Sequence, residues 1–206
     1  MIFDEAHKKS LQDAVDFYSS KRFLTQKARV QLVKEINIKK NENIKKRNQY
    51  IKLFGQSIKI TCENEMQNLE ATVTSVIIEP GACANVTFFS LNECQELKQL
   101  TIRDGNFKNI SSFSIQNLPN LVSVTIGNDC FLVTSGFSVK CSFIISNCMN
   151  LKEVEIGCHS FKDYSSFSIS KLAVLEKLII GDMFNESSNF INCDFTLTGN
   201  LFIVFE

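Results

Sequence analysis

The chain has 206 residues, of which 44% are hydrophobic and 21% charged, so it can form one domain with a packed core and an appendage. These proportions exclude global disorder, and no uninterrupted apolar run of 18 residues predicts a membrane-spanning helix. Residues 1–60 carry 14 basic and 6 acidic side chains, whereas residues 61–206 carry 8 and 16. The sequence therefore predicts two segments with different roles, or two segments that attract each other.

The first predicted segment, residues 1–56, is helical and basic. Residues 4–54 contain neither Pro nor Gly, and Gly55 is placed as a helix stop. Apolar residues spaced by three or four positions predict one or two helices over 4–37 and another over 41–54, with a break at KKNEN (39–43). After Gly55, SIKITC (57–62) alternates like a strand and ENEMQN (63–68) is typical of a polar turn.

The basic character of this segment has three possible interpretations. Eleven Lys or Arg side chains lie between Lys21 and Lys52 against only two acidic ones. They could form a solvated helix face, a helix that docks on a partner or on the chain itself, or a contact with RNA or an anionic membrane. No nucleic-acid-binding motif accompanies the charge. The polyanion contact would be made by Lys45, Lys46, Arg47, Tyr50 and Lys52, with Tyr50 able to stack on a base.

The second predicted segment, residues 57–206, contains an internal repeat. Four segments share the pattern L-x-x-L/V-x-I, usually followed by Gly: LKQLTIRDGNF (97–107), LVSVTIGNDCF (121–131), LKEVEIGCHSF (151–161) and LEKLIIGDMF (175–184). A weaker copy begins at Val73, so repeats start near 73, 97, 121, 151 and 175. Upstream of each leading Leu lies a second signature: FSLNEC (89–94), FSIQNL (113–118), FIISNC (143–148) and FSISKL (167–172).

These repeated apolar columns predict the fold. Stacked coils bury the same position in every repeat, and the short L-x-I and F-x-I pieces alternate like strands. We therefore expect two short strands per coil, each contributing to a parallel sheet, and about five coils. Gly127, Gly157 and Gly181 directly follow a strand, where we expect unusual backbone angles. The predicted fold class is α+β, a β-solenoid with an N-terminal helical segment.

The pattern LxxLxIGxxxF with FSIxNLPNL resembles the leucine-rich repeats of irregular, protist or BspA-like type. The resemblance covers about residues 70–206. It implies a protein-binding module and is almost silent about activity. A six-residue insertion near 132–140 departs from the pattern.

Motifs for catalysis or for cofactors are absent from the sequence. It contains no Gly-rich phosphate loop, H-E-x-x-H or G-x-S-x-G motif, and no CxxC pair among eight cysteines. Cys158 and His159 are neighbours at positions outside the columns, where we expect solvent exposure. A zinc set of Cys141, Cys148, Cys158 and His159 can be drawn, but Cys148 fits an apolar column better. We expect no enzyme, no metal and no cofactor.

The favoured function is a non-catalytic protein-binding or scaffold module that uses the solenoid surface, with another protein as partner and no small-molecule substrate. The alternatives are a cell-surface antigen or adhesion protein and polyanion binding by the N-terminal helices. Without a visible signal segment, the chain is expected in the cytoplasm with free thiols. The helices are expected to dock against residues 58–90 as a cap. Outward strand positions would carry protein binding: Gln99, Thr101, Arg103, Ser123, Thr125, Glu153, Glu155, Lys177 and Ile179.

Overall fold

A computed structural model describes residues 26–133, 140–181 and 187–198. Within these residues the fold is α+β, with an N-terminal helix and ten strands in two parallel sheets. The helix is α1 (Gln26–Phe54), and a short 3-10 helix spans Glu63–Asn68. The strands are β1 (Gln56–Ile60), β2 (Val73–Ile78), β3 (Gln99–Ile102), β4 (Ser112–Gln116), β5 (Ser123–Ile126), β6 (Ser142–Ser146), β7 (Glu153–Ile156), β8 (Ser166–Ser170), β9 (Lys177–Ile180) and β10 (Asp194–Thr198).

The chain divides into two compact units, Met1–Lys52 and Leu53–Glu206. In the first unit, α1 runs without interruption through residues 39–43, so the predicted helix break is wrong. Lys and Glu are good helix formers, Asn is only weakly unfavourable, and the segment contains no Gly or Pro to stop the ladder of hydrogen bonds. The helix ends where predicted, because Gly55 adopts a φ of 76°. The helix predicted to start near Asp4 lies outside the described residues.

In the second unit the chain alternates between two sheets from β3 onward. The six-stranded sheet has the order β1-β2-β3-β5-β7-β9, and the four-stranded sheet has the order β10-β8-β6-β4. All pairings are parallel, and corresponding columns lie in register, as in the series Leu100, Val124, Val154 and Leu178. One earlier copy differs from the prediction: FSLNEC (89–94) forms no strand, although its Phe89 and Leu91 are buried.

The predicted columns form the core between the sheets. The leading apolar residues at 73, 97, 121, 151 and 175 are all buried, as are the Phe column and the Ile or Leu column upstream of them. A second column of rings interleaves with this Phe column, so that Phe113 stacks on Phe131 at 4.6 Å and Phe143 stacks on Phe161 at 4.5 Å. The second column consists of Phe107, Phe131, Phe161 and Phe190. At the last position of the second column the structure places Phe190 on Phe161, at 5.1 Å. The repeat copy LEKLIIGDMF (175–184) predicts Phe184 at this position, but Phe184 lies outside the described residues.

A polar column that the sequence pattern does not reveal lies beside these rings. Asn106 is fully buried, and its Oδ1 accepts a hydrogen bond of 2.8 Å from the Cys83 backbone N–H. Ser160 is also buried; its Oγ accepts from the Cys130 backbone N–H and donates to the Gly127 carbonyl. These side chains form hydrogen bonds with backbone groups of the turns that would otherwise be buried without a partner. Because those backbone groups belong to the preceding repeat, the hydrogen bonds connect each repeat to the one before it.

Candidate functional site

The predicted binding residues lie on one outward surface, here called the six-strand face. It consists of the side chains that point away from the core on the six-stranded sheet, at alternate positions of each strand. The pairing register brings the predicted residues into two rows and places Arg103 directly after β3. One row contains Gln99, Ser123, Glu153 and Lys177, and the other contains Thr101, Thr125, Glu155 and Ile179.

The middle of the six-strand face is small and polar. Thr101, Ser123 and Thr125 are half-buried between their cross-strand neighbours. Toward β9 the face becomes charged, where the Lys177 Nζ donates a hydrogen bond of 2.7 Å to Glu155 Oε1. Both side chains of that pair are about two-fifths exposed, so the pair fixes their positions more than it stabilises the fold.

A charged cluster at the opposite end of the face was missed by the sequence analysis. Lys59 Nζ lies 3.0 Å and Arg103 Nε 3.8 Å from the same oxygen, Glu79 Oε1. That oxygen is buried and has no well-angled hydrogen bond, so its charge is balanced by the two cations. The alternation in SIKITC and the position of Glu79 directly after β2 were the available signals. The cluster joins the first three strands of the sheet at their carboxyl ends.

The turns that follow these strands are held by a ladder of side-chain caps. Asp104 Oδ1 accepts a hydrogen bond of 2.8 Å from Asn128 N–H, and Asn128 Oδ1 accepts one of 2.8 Å from Cys158 N–H. Gly127 is required here because a Cβ would lie 2.7 Å from the Asp104 backbone nitrogen. The expected unusual angles occur only at Gly181, whose φ is 74°, so the expectation was wrong for Gly127 and Gly157. The ladder gives the six-strand face a rigid border.

The opposite surface, the four-strand face, has a different chemistry. It is formed by the outward side chains of the four-stranded sheet, and its register sets Ser112 beside Ser142 and Ser142 beside Ser166. Ser112 Oγ lies 3.2 Å from Ser142 Oγ, and Gln116 Nε2 donates to Ser146 Oγ at 2.9 Å. Nine of its twelve positions carry hydroxyl groups: Ser112, Ser114, Ser142, Ser146, Ser166, Ser168, Ser170, Thr196 and Thr198. This face offers few features that distinguish one protein partner from another.

The residues predicted for polyanion binding lie on α1. Lys45, Lys46 and Arg47 are exposed, and Tyr50 is 48% exposed. Lys52 belongs to the same helix, but its side chain lies outside the described part. Successive residues of a helix point about 100° apart, so these cations surround the helix and do not form a single stripe.

The cysteines and histidine considered for metal binding or catalysis are dispersed. Cys141 and Cys148 are buried, whereas Cys158 and His159 are half-buried, less exposed than expected. His159 Nδ1 lies 3.8 Å from Asp129 Oδ1. Within the described ranges no group of three or more Cys, His, Asp or Glu side chains could hold a metal ion. None of the eight cysteines, all of which lie in the described ranges, forms a disulfide bond.

Among the described residues, no helix is both long enough and apolar enough to cross a membrane. Comparisons with protein-family models, with curated proteins and with solved structures give no match for this chain. The interpretation of the six-strand face therefore depends on its own chemistry.

Proposed function

We propose that residues 57–206 form a leucine-rich-repeat-like solenoid that acts as a non-catalytic protein-binding or scaffold module. The solenoid interpretation is supported by the alternation of the chain between two parallel sheets and by the in-register burial of the predicted apolar columns from the strand β3 to the strand β8. Such stacks present a wide and rigid surface while the repeated core carries the stability. Binding and stability then depend on different residues, which makes them separable by mutation.

The six-strand face is the proposed binding surface, and its width supports this choice. Six parallel strands spaced about 4.8 Å apart extend over roughly 24 Å, which suits a protein segment lying across the strands. The face combines small hydroxyl side chains in its middle with charged pairs at both ends, at Glu79 and at Glu155. This distribution can select a partner by shape at the centre and by charge at the borders. The four-strand face is almost without charge, so it lacks charged borders that could select a partner.

A pair of matched double variants tests the proposal. Thr101→Arg with Thr125→Arg places two long cations opposite each other in the middle of the six-strand face, and Ser142→Arg with Ser166→Arg places the same cations opposite each other on the four-strand face. We expect both proteins to unfold at the same temperature, because all four positions point away from the core and the two cations are direct cross-strand neighbours in both variants. Partners captured from the native cell by the wild type should be lost with the first variant and retained with the second. Retention of the same partners by the first variant would refute this assignment.

Polyanion binding by α1 is the second candidate function. Nine basic and two acidic residues lie within Gln26–Phe54, and the described basic side chains from Lys34 to Arg47 are exposed. Binding of RNA or anionic vesicles should then weaken steeply with salt. Replacing Lys45, Lys46 and Arg47 by Ala should reduce the slope of log K against log salt by about 2–3. The matched control replaces Lys98, Lys108 and Lys162, which are exposed in the second unit; equal losses in both triple variants would indicate only nonspecific charge attraction.

A further inference from the structure

Among the described residues, β10 is the terminal strand of the four-stranded sheet, and the side chains on its core side are exposed. It pairs with β8 through five in-register positions, from Asp194 opposite Ser166 to Thr198 opposite Ser170. Phe195 is 48% and Leu197 40% exposed, whereas their counterparts Phe167 and Ile169 are fully buried. The side chains of these two core columns are therefore buried in β8 and exposed to solvent in β10.

The ring of Phe195 ends the aromatic stack. It meets Phe167 at 5.3 Å and Phe190 at 5.4 Å, with interplanar angles of 77° and 74°. By contrast, Phe143 and Phe167 lie almost parallel, at 4°. The exposed side of the Phe195 ring continues the core in the direction of the next strand position, where an apolar side chain from another strand would be buried.

β10 also lacks the features that normally keep an edge strand from pairing. Exposed edges are usually protected by Lys, Pro, a bulge or a very short strand. The sequence DFTLT contains neither Lys nor Pro, its pairing with β8 has no register shift, and it is as long as the buried strands of its sheet. Its outer backbone edge is therefore suited to accept another strand.

We propose that β10 pairs antiparallel with β10 of a second copy of this chain, about a two-fold axis that passes through Thr196. In this register Phe195 lies opposite Leu197 of the second copy, which covers both exposed columns. Asp194 lies opposite Thr198 of the second copy, so its carboxylate meets a hydroxyl group and the two carboxylates stay apart. Aromatic–aliphatic and Thr–Thr pairs directly opposite each other are favourable cross-strand pairs.

A two-fold arrangement fits the two ends of the four-stranded sheet better than head-to-tail stacking does. At the other end of that sheet, the segment preceding β4 buries Phe89 and Leu91 but forms no strand that β10 could pair with. A two-fold contact is also closed, whereas repeated head-to-tail contacts produce filaments. A five-residue strand pair buries a small area, so the dimer is weak and depends on concentration.

Sedimentation equilibrium of the full chain over a range of concentrations tests this pairing and its register. Thr196→Lys places two cations opposite each other at the axis, so it should raise the dimer dissociation constant about threefold or more. Thr198→Lys places the same cation opposite Asp194 of the second copy, so it should lower the constant. Both positions lie on the outward side of an exposed strand, and the two variants carry the same net charge.

The matched control is Ser168→Lys, which adds the same charge on β8, in register with Thr196. It should change the dissociation constant less than either β10 variant. A wild type that stays monomeric at all concentrations would overturn the proposal, as expected if residues 199–206 of the same chain cover β10. Equal effects of Thr196→Lys and Thr198→Lys would also overturn it, because the register gives them opposite signs.

Discussion

At the scale of single residues, two interleaved columns of phenylalanine rings stabilise the core. Phe113 alone contacts Phe89 at 5.8 Å, Phe131 at 4.6 Å and Phe143 at 5.5 Å. Buried rings of this kind contribute through the area that they remove from water and through their stacking geometry. The residue that follows each ring of the Phe column upstream of the leading residues, such as Ser114 after Phe113, points outward and contributes little to stability.

Phe113→Ala should therefore lower the free energy of unfolding by about 3–5 kcal/mol, because it removes a fully buried ring and leaves a cavity. Ser114→Ala, one residue along, should change it by less than about 0.5 kcal/mol. Urea denaturation of both variants measures the difference. Similar losses at the two positions would show that the strand register is wrong.

The ring columns were predictable from the sequence because one residue type recurs at a fixed spacing. The polar column was not, because Asn fills two of its places, Asn106 and Asn189, and Ser fills another, Ser160, so only their contacts show the shared role. Phe190 was missed for another reason. Phe190 follows Leu175 by about fifteen residues, whereas Phe161 follows Leu151 by about ten, so a count of about ten from Leu175 leads to Phe184.

At the scale of elements, α1 is a helix whose residues favour helical structure locally, although its apolar side chains do not form one buried face. It is a 29-residue helix with many exposed apolar side chains, among them Val30, Val33 and Ile44. The polar run at 39–43 led to the prediction of a break, yet the residues are all compatible with a continuous helix. By contrast, the strands were predictable because their alternation reflects burial on one side.

Asn41→Pro should disrupt α1 at its centre, because Pro in a helix interior costs about 3 kcal/mol. Far-UV circular dichroism should show a loss of helix signal, whereas Asn41→Ala should leave the signal equal or increase it. If Asn41→Pro leaves the signal unchanged, the chain is broken near 39–43 in solution and the continuous helix is incorrect.

At the scale of the whole molecule, the two faces of the second unit differ in charge and in width. The six-strand face carries the charged cluster at Glu79 and the pair at Glu155, and the four-strand face carries mainly hydroxyl groups. The positions of the predicted binding residues in two rows followed from strand alternation. The cluster of Lys59, Glu79 and Arg103 required the pairing of β1 with β2, which the repeat pattern did not contain. Docking of the N-terminal helices at residues 58–90 stays a prediction.

The buried thiols predict that the molecule loses stability in alkaline solution. Burial raises the pKa of Cys130 to about 11 and that of Cys83 to about 11. The unfolded thiols ionise from about pH 8.5, so between there and pH of about 11 the unfolded chain binds fewer protons than the folded one. The free energy of unfolding should therefore fall as the pH rises through this window.

Urea denaturation at about pH 8 and about pH 10 measures this loss. Cys130→Ala should reduce the pH dependence, because one buried titrating group is removed. Cys62→Ala is the matched control, since Cys62 is exposed. An equal slope in the wild type and in Cys130→Ala would show that this thiol does not titrate differently in the two states.

The most direct test of the proposed function is photo-crosslinking from single positions inside the native cell. Benzoylphenylalanine is introduced at one position at a time. The three positions are Thr125 in the middle of the six-strand face, Ser168 in the four-strand face and Lys46 on α1. The account predicts a discrete protein crosslink from Thr125 and none of the same mass from Ser168 or Lys46. A partner crosslinked from Ser168 or Lys46 and absent from Thr125 would contradict it.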